Sequence, residues 1–361
     1  MKLKMILRNN VFIWNAYSRF RGTIANQRRK RLNKQYSKAI YKLEDPLVFQ
    51  SRVDEILSKI REGKKLPVYL ITSRNDRLGI LGYVNLFLPH LAYSLAKGYI
   101  PVIDLASNPN IYSTDNDNSW EKFFTQPFDI GLDDLQGNKI IKCPVDFWYT
   151  YGPHCIPGMS EKEITFWNRV FMALVHYNER TELYLQEEYD GIIKNHKDVI
   201  GAIYRGTDYT QGHPIGHPIQ PSKKMLADKI EESMATGDYE AIYIASDEKG
   251  IVDYLEKRFP NKVLINRRSY YDEDNTIDYS RCNIDHRGIS DVRFQREDDA
   301  YLRGVEYLSS INLVSNCSAL IAGGCGATIA ALYMNGLKYK SSCVFQLGKY
   351  GKDPIPYEES N

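Results

Sequence analysis

The chain of 361 residues is 43% hydrophobic and 25% charged, a composition typical of a globular protein and long enough for two domains with separate cores. No run of about 18 apolar residues occurs, so a transmembrane helix is excluded. The apolar stretch near the N-terminus is interrupted by Arg8 to Asn10, so no signal peptide is expected. The net charge of +2 conceals an asymmetry. Residues 1–40 contain eleven Lys and Arg and no acidic residue.

This basic N-terminal stretch predicts an anionic partner, either a membrane surface or another protein. A nucleic-acid partner is not expected, because the rest of the chain has no basic face interleaved with aromatic residues. The six cysteines are scattered without C-x-x-C pairs, which predicts reduced thiols and neither a disulfide framework nor a zinc site. We therefore expect a cytoplasmic protein, with peripheral contact at the inner membrane face as one interpretation of residues 1–40. The other interpretation is that residues 1–40 form a pair of helices that binds a protein partner or is merely flexible. The cysteines are Cys143, Cys155, Cys282, Cys317, Cys325 and Cys343.

Strand and helix patterns alternate along the chain after a basic helical region, 1–62, that is interrupted by Asp45-Pro46. In the first half we predict strands at 66–72 and 100–105, helices at 85–97 and 160–185, and an irregular segment at 112–159. In the second half we predict strands at 199–204, 240–246, 262–265, 319–322 and 343–346, with helices at 222–236, 249–259, 298–310 and 327–334. This order predicts an α/β fold of two facing Rossmann-like domains, 63–190 and 191–361, with a cleft between them.

Four polar or glycine-containing turns follow predicted strands: residues 74–82, 205–217, 246–248 and 323–328. Ligands bind at this edge of open α/β sheets, so together the turns predict a nucleotide-type ligand. The guanidinium of Arg205 suits a phosphate, Gly206 permits close backbone approach, and Asp208 offers an acceptor or a base. Taken alone, the Arg205 turn is equally compatible with a surface salt bridge.

The other turns also have two interpretations. Gly323 to Thr328, GGCGAT, resembles a phosphate cradle at a helix N-terminus without the lysine of a Walker loop, but could be a tight packing turn. Asp247 either faces the ligand or belongs to a helix cap. His213 and His217 lie in a loop containing proline and glycine, which disfavours a metal site. An imidazole beside a phosphate-binding arginine suits a general base or a hydroxyl partner.

In order and spacing, these segments resemble the motifs of the GDP-fucose-dependent fucosyltransferase superfamily. The similarity spans about residues 65–350 and is nearest to the core α1,6 and nodulation-type branch, more distantly to the α1,2 and protein O-fucosyl branches. The matching segments are YRGTDY at 204–209, HPI at 217–219, IYIASDE at 242–248, WEKFF at 120–124 and the stretch from Leu302 to Gly336.

The resemblance implies a GT-B-like fold in which 63–190 is the acceptor side and 191–361 binds the nucleotide sugar. It implies inverting, metal-independent transfer of fucose from GDP-fucose to a hydroxyl of an oligosaccharide or glycolipid, without a cofactor. Arg205 would then hold the β-phosphate, Asp208 would order its loop, and Glu306 would contact the guanosine. The remaining residues expected in the donor site are Gly206, His217, Asp247, Gly324, Cys325, Gly326, Thr328 and Asn85.

The chain departs from the family pattern at several of these positions. Gly206 replaces the second arginine of the pair, so one phosphate contact is either missing or supplied from elsewhere, with Arg74 and Arg77 as candidates. Ile203 replaces a histidine, and Cys325-Gly326 replaces a Ser-Gln pair. His213 stands at the spacing of a candidate catalytic glutamate, which leaves His213 or Asp208 as the base. A non-catalytic nucleotide- or glycan-binding protein with a degenerate site is the alternative. A dinucleotide-dependent enzyme is a third hypothesis that no glycine fingerprint supports.

Overall fold

A computed structural model describes residues 11–114, 117–144, 152–154, 158–273, 277–282 and 288–357, with the backbone alone for 11–25. Cys155 and the first ten residues of the basic stretch lie outside this part. The five other cysteines have free thiols. Within the described part of the chain, no helix combines the length and apolarity needed to cross a bilayer.

The N-terminal region consists of two helices that pack on the first half of the protein. Asp45 ends the first helical stretch and caps the next helix, because its carboxylate accepts from the amide of Leu47 at 2.9 Å. Tyr36 is buried and stacks on Tyr93 with ring centroids 4.0 Å apart. The end of the basic region therefore belongs to a core. The elements are α1 (Val11–Ile40), a 3-10 turn (Tyr41–Glu44) and α2 (Pro46–Arg61).

The first sheet has three parallel strands in the order β2-β1-β3. Its helix begins at Ile80, five residues before the predicted start, because Gly79 caps it and the amide of Ile80 donates to the Tyr112 hydroxyl at 2.7 Å. The third strand was not predicted, since only three residues of a mostly irregular segment form it. The elements are β1 (Val68–Thr72), α3 (Ile80–Lys97), β2 (Ile100–Asp104) and β3 (Ile140–Lys142).

The single helix predicted over 160–185 is wrong, because the structure contains two helices there, α4 (Glu161–Leu174) and α5 (Glu179–Ile192). Val175 adopts an extended conformation that ends α4. Asn178 then starts α5 by accepting a hydrogen bond from the amide of Thr181 at 2.9 Å. An asparagine inside an apolar helical pattern was the sequence signal for this break.

The second sheet has five parallel strands in the order β6-β5-β4-β7-β8. The chain leaves β4 in one direction through β5 and β6, then returns to the other side of β4 as β7. The carboxyl ends of β4 and β7 therefore flank a topological switch point. The elements are β4 (Val199–Tyr204), α6 (Lys223–Thr236), β5 (Ala241–Ser246), α7 (Lys249–Arg258), β6 (Val263–Leu264), α8 (Asp299–Ser315), β7 (Ala319–Ala322), α9 (Gly326–Asn335) and β8 (Ser341–Val344).

The two halves share one apolar layer. Helices α8 and α9 pack between the second sheet and α3, α4 and α5, and a continuous buried cluster extends from Tyr36 to Tyr333. The amide of Asn168 on α4 donates to the carbonyl of Tyr333 on α9 at 2.7 Å. The opposite face of the second sheet is covered by α6 and α7. The predicted α/β class with two facing units is thus confirmed, and the shared layer brings the two sets of strand ends to one cleft.

Candidate functional site

A cavity of about 270 Å³ opens at the switch point, between the second sheet and the β1–α3 turn of the first half. Both halves contribute to it, as expected for a cleft between two α/β units. Of the predicted site residues it is lined by Arg205, Asp208, Asp247, Glu306, Cys325 and Gly326, and it also includes Arg77, Tyr112, Arg268, Arg303 and Tyr307.

Arg205, directly after β4, is held between two carboxylates. Its Nη2 lies 2.7 Å from Asp208 Oδ1, and its Nη1 pairs with Asp247 Oδ2. Its guanidinium also lies over the ring of Tyr209, 4.9 Å from the centroid. Burial acts to lower the pKa of Arg205, but the Asp208 carboxylate, together with the nearby Tyr209, Cys325 and Tyr307, outweighs burial and the pKa is raised. Arg205 is therefore a fixed cation, with its orientation set by its acidic neighbours.

Asp247, at the end of β5, anchors the whole Arg205 turn. Its Oδ1 accepts from the Gly206 amide at 2.9 Å, and its Oδ2 accepts from the Thr207 hydroxyl at 2.6 Å as well as from Arg205. Thr207 is fully buried and has a positive φ of 43°, a conformation that needs support from its surroundings. The Asp247 carboxylate provides that support, so it acts on the loop.

Gly206 stands where the resemblance predicts a second arginine, and the structure leaves no room for a side chain there. A Cβ at this position would lie 2.1 Å from Oε2 and 2.7 Å from Cβ of Glu248. Glu248 is buried and forms an ion pair with Lys223, which fixes it against the turn. Glu248 therefore fills the space that a side chain at position 206 would need.

The GGCGAT turn presents the N-terminus of α9 to the cavity. Cys325 is the N-cap residue of α9, and no side chain caps the helix there. The first amides of the helix, at Gly326 and Ala327, therefore remain available to a ligand. Thr328 supports the turn from behind by donating to the carbonyl of Gly323 at 2.5 Å. Gln220 Nε2 donates to the carbonyl of Gly324 at 2.9 Å.

Asn85 also acts on this turn from behind, since its Nδ2 donates to the carbonyl of Gly326 at 3.0 Å. It thereby joins α3 of the first half to the start of α9. Glu306, on α8, lines the cavity but is bound through both carboxylate oxygens by Arg296, with Nη2 3.1 Å from Oε2. A ligand that contacts Glu306 shares this carboxylate with Arg296.

The structure places neither His213 nor His217 in the cavity lining, in contrast to the prediction. His213 has a positive φ of 46° and stacks on Tyr350 with ring centroids 4.8 Å apart, away from the lining. His217 lies behind Tyr209, whose hydroxyl is 2.8 Å from Nδ1. Among the alternative phosphate contacts, Arg77 lines the cavity and pairs with Asp291 at 3.4 Å, whereas Arg74 does not line it.

The sequence reasoning missed several cavity residues, among them Arg268, Arg303 and Tyr307. Arg268 follows the carboxyl end of β6 and could have been found by the rule applied to the other strands. Arg303 and Tyr307 are one turn apart on α8, on the same face as Glu306. Their spacing places them on one helix face, but it does not show what that face meets in the fold. Among the described residues, no group of three His, Cys, Asp or Glu side chains could hold a metal ion.

Replacing Asp247 with alanine tests its role as the anchor. The buried Gly206 amide, the buried Thr207 hydroxyl and the partly buried Arg205 would lose an acceptor, so we expect Asp247→Ala to lower the free energy of unfolding by about 3–5 kcal/mol. The matched control is Asp253→Ala, which removes an exposed 3.0 Å pair with Lys249 and should cost less than about 0.5 kcal/mol. Urea unfolding measures both. Equal effects for the two variants would contradict the anchoring role.

No family model matches the chain, and no curated relative matches it. Solved structures of similar fold include NodZ α-1,6-fucosyltransferase soaked with GDP-fucose, at 14% identity and a TM-score of 0.48, covering 81% of this chain and all of that one. NodZ from Bradyrhizobium has 12% identity and a TM-score of 0.41, covering 75% and 93%. POFUT1 in complex with GDP-fucose has 11% identity and a TM-score of 0.40, covering 77% and 98%. Similarity at this level describes architecture only.

Proposed function

We propose that this protein is a glycosyltransferase that uses a nucleoside-diphosphate sugar. The observation that carries the proposal is the convergence of the Arg205 guanidinium and the uncapped N-terminus of α9 on one cavity at the switch point. Both groups favour a phosphate, and a cleft between two α/β units leaves room for a second substrate. The motif order from 204 to 336 makes GDP-fucose the expected donor and a hydroxyl of an oligosaccharide or glycolipid the expected acceptor.

In the proposed reaction, the bond between the sugar and the diphosphate breaks while the acceptor oxygen attacks from the opposite side. Negative charge then accumulates on the departing diphosphate. Arg205 and the first amides of α9 are already oriented and stabilise that charge without reorganisation. Attack from the opposite face inverts the configuration at the sugar carbon.

We assign the base to Asp208. Its carboxylate lines the cavity beside Arg205, whereas the ring of His213 is stacked on Tyr350 outside it. A carboxylate in this position can accept the proton of the acceptor hydroxyl.

Arg205→Lys tests the phosphate contact while retaining a positive charge. Loss of the bidentate contact between the guanidinium and the phosphate should reduce turnover of GDP-fucose by about 10²- to 10³-fold. Arg258→Lys is the control, since Arg258 pairs with Asp228 and Glu231 away from the cavity. GDP release in the presence of acceptor is the measurement. Near-normal turnover in a folded Arg205→Lys variant would refute the assignment.

Asp208→Asn and His213→Gln distinguish the two candidate bases. If Asp208 removes the acceptor proton, Asp208→Asn should lower the turnover number by about 10²-fold or more, and His213→Gln should leave it within about threefold. The GDP dissociation constant, measured by calorimetry, separates a lost base from a lost donor site. The reverse order of effects would return the role to His213.

The second candidate function is nucleotide or glycan binding without catalysis. The neutralisation of Arg205 by two carboxylates, together with Gly206 in place of an arginine, favours it. Calorimetry with GDP, combined with product analysis of GDP-fucose incubations, separates the candidates. Binding without hydrolysis or transfer would support the second.

We further propose that α1 contacts an anionic membrane at the inner face. Arg28, Arg29, Lys30 and Arg31 are consecutive and exposed, one to two turns before the helix docks through Tyr36. Each basic residue near an anionic surface contributes about 1 kcal/mol of binding free energy.

Replacing these four basic residues with glutamine tests the membrane contact and keeps the docked end of α1 in place. We expect wild type to co-sediment with vesicles containing phosphatidylglycerol and the variant to remain in solution, with little binding of either to pure phosphatidylcholine. A control variant carries four exposed lysines changed to glutamine elsewhere: Lys194, Lys224, Lys257 and Lys352. Equal sedimentation of wild type and the α1 variant would exclude the membrane role.

A further inference from the structure

The charges around Arg205 do not by themselves attract a diphosphate. Arg205 contributes one positive charge, and its partners Asp208 and Asp247 contribute two negative ones. The cluster therefore carries a net charge of −1 with both carboxylates ionised, and a phosphate at this point needs a further cation. Position 206 cannot supply it, because Glu248 occupies the space that a side chain there would need.

Arg303 is a cation on the wall of the same cavity whose hydrogen-bonding capacity is not filled. It projects from α8 and is only 5% exposed. Its Nη2 donates to the carbonyl of Val292, but Nε and Nη1 have no hydrogen-bond partner among the described residues. The nearest carboxylate, Asp299, lies 3.9 Å from Nε and also accepts from Arg296 Nε at 2.8 Å. A buried guanidinium in this state costs stability unless an anion completes its shell.

The charge of Arg303 also affects neighbouring residues. The pKa of Arg293 is lowered, first by burial and then by the nearby positive charge of Arg303. Tyr112 of the first half, which also lines the cavity, lies within the electrostatic influence of Arg303. Arg303 thus stands opposite the first half, at the place where the two units meet.

We propose that Arg303 is the second diphosphate-binding arginine of this protein, supplied by α8 in place of the arginine that Glu248 excludes from position 206. This inference rests on the proposed use of a nucleoside-diphosphate donor. With Arg205 and the start of α9 on one side and Arg303 on the other, the diphosphate is held from two directions. The site then discriminates a diphosphate from a monophosphate.

Arg303→Met tests the proposal, because it retains an unbranched side chain and removes the charge. The dissociation constants of GDP and GMP are measured by calorimetry for wild type and variant, with UDP and UMP as a second pair. We expect the preference of wild type for the diphosphate to fall by about tenfold or more, and the affinity for the monophosphate to change by less than about threefold. The melting temperature without ligand should stay the same or rise, since an unsatisfied buried charge is removed.

Arg293→Met is the matched control, because Arg293 donates to the same Val292 carbonyl at 2.8 Å but does not line the cavity. It should leave the diphosphate preference unchanged. If Arg303→Met does not fold, Arg303→Lys is measured in the same way, and a reduced preference is again expected. An unchanged preference in a folded Arg303 variant overturns this inference and leaves the proposed function intact. If wild type binds no nucleoside diphosphate, both fall together.

Discussion

The site depends on the carboxylate of Asp247. Situated at the end of β5, it binds the backbone of Gly206, the hydroxyl of Thr207 and the guanidinium of Arg205 on the neighbouring strand β4. These contacts hold a buried threonine at positive φ and turn the arginine toward the cavity. A parallel sheet alone would bring β4 and β5 together, but the direction of the arginine comes from the side-chain anchor.

The second constraint is the apolar layer that the two halves share. Because α8 and α9 pack against both the second sheet and the helices of the first half, the start of α9 and one face of α8 meet the β1–α3 turn at the cavity. The hydrogen bond from Asn85 to Gly326 ties this turn to α3. Asn85 and Thr328 support the site without lining the cavity, whereas Arg205, Arg303 and the first residues of α9 line it. Asp247 does both.

Most of the fold could be predicted from the sequence, because buried strands of the second half appear as short apolar runs, such as 199–204 and 241–246, each followed by a polar turn. The break between α4 and α5 is marked in the sequence only by one capping asparagine, and strand β3 has only three residues, so neither was predicted. Within the site, Arg205 was visible as a strand-end residue. The displacement of His213 onto Tyr350 and the approach of Arg303 from α8 depend on tertiary packing, which local spacing does not reveal.

The central claim is that a nucleoside-diphosphate sugar is consumed in the cavity between the two halves. The most direct test is a screen of nucleotide sugars with the purified full chain, in which release of the free diphosphate is followed with and without oligosaccharide acceptors. Release of GDP from GDP-fucose, accompanied by a fucosylated product of inverted configuration, is the predicted result. Failure of every nucleotide sugar to bind or turn over, by a protein that is folded and monodisperse, would contradict it.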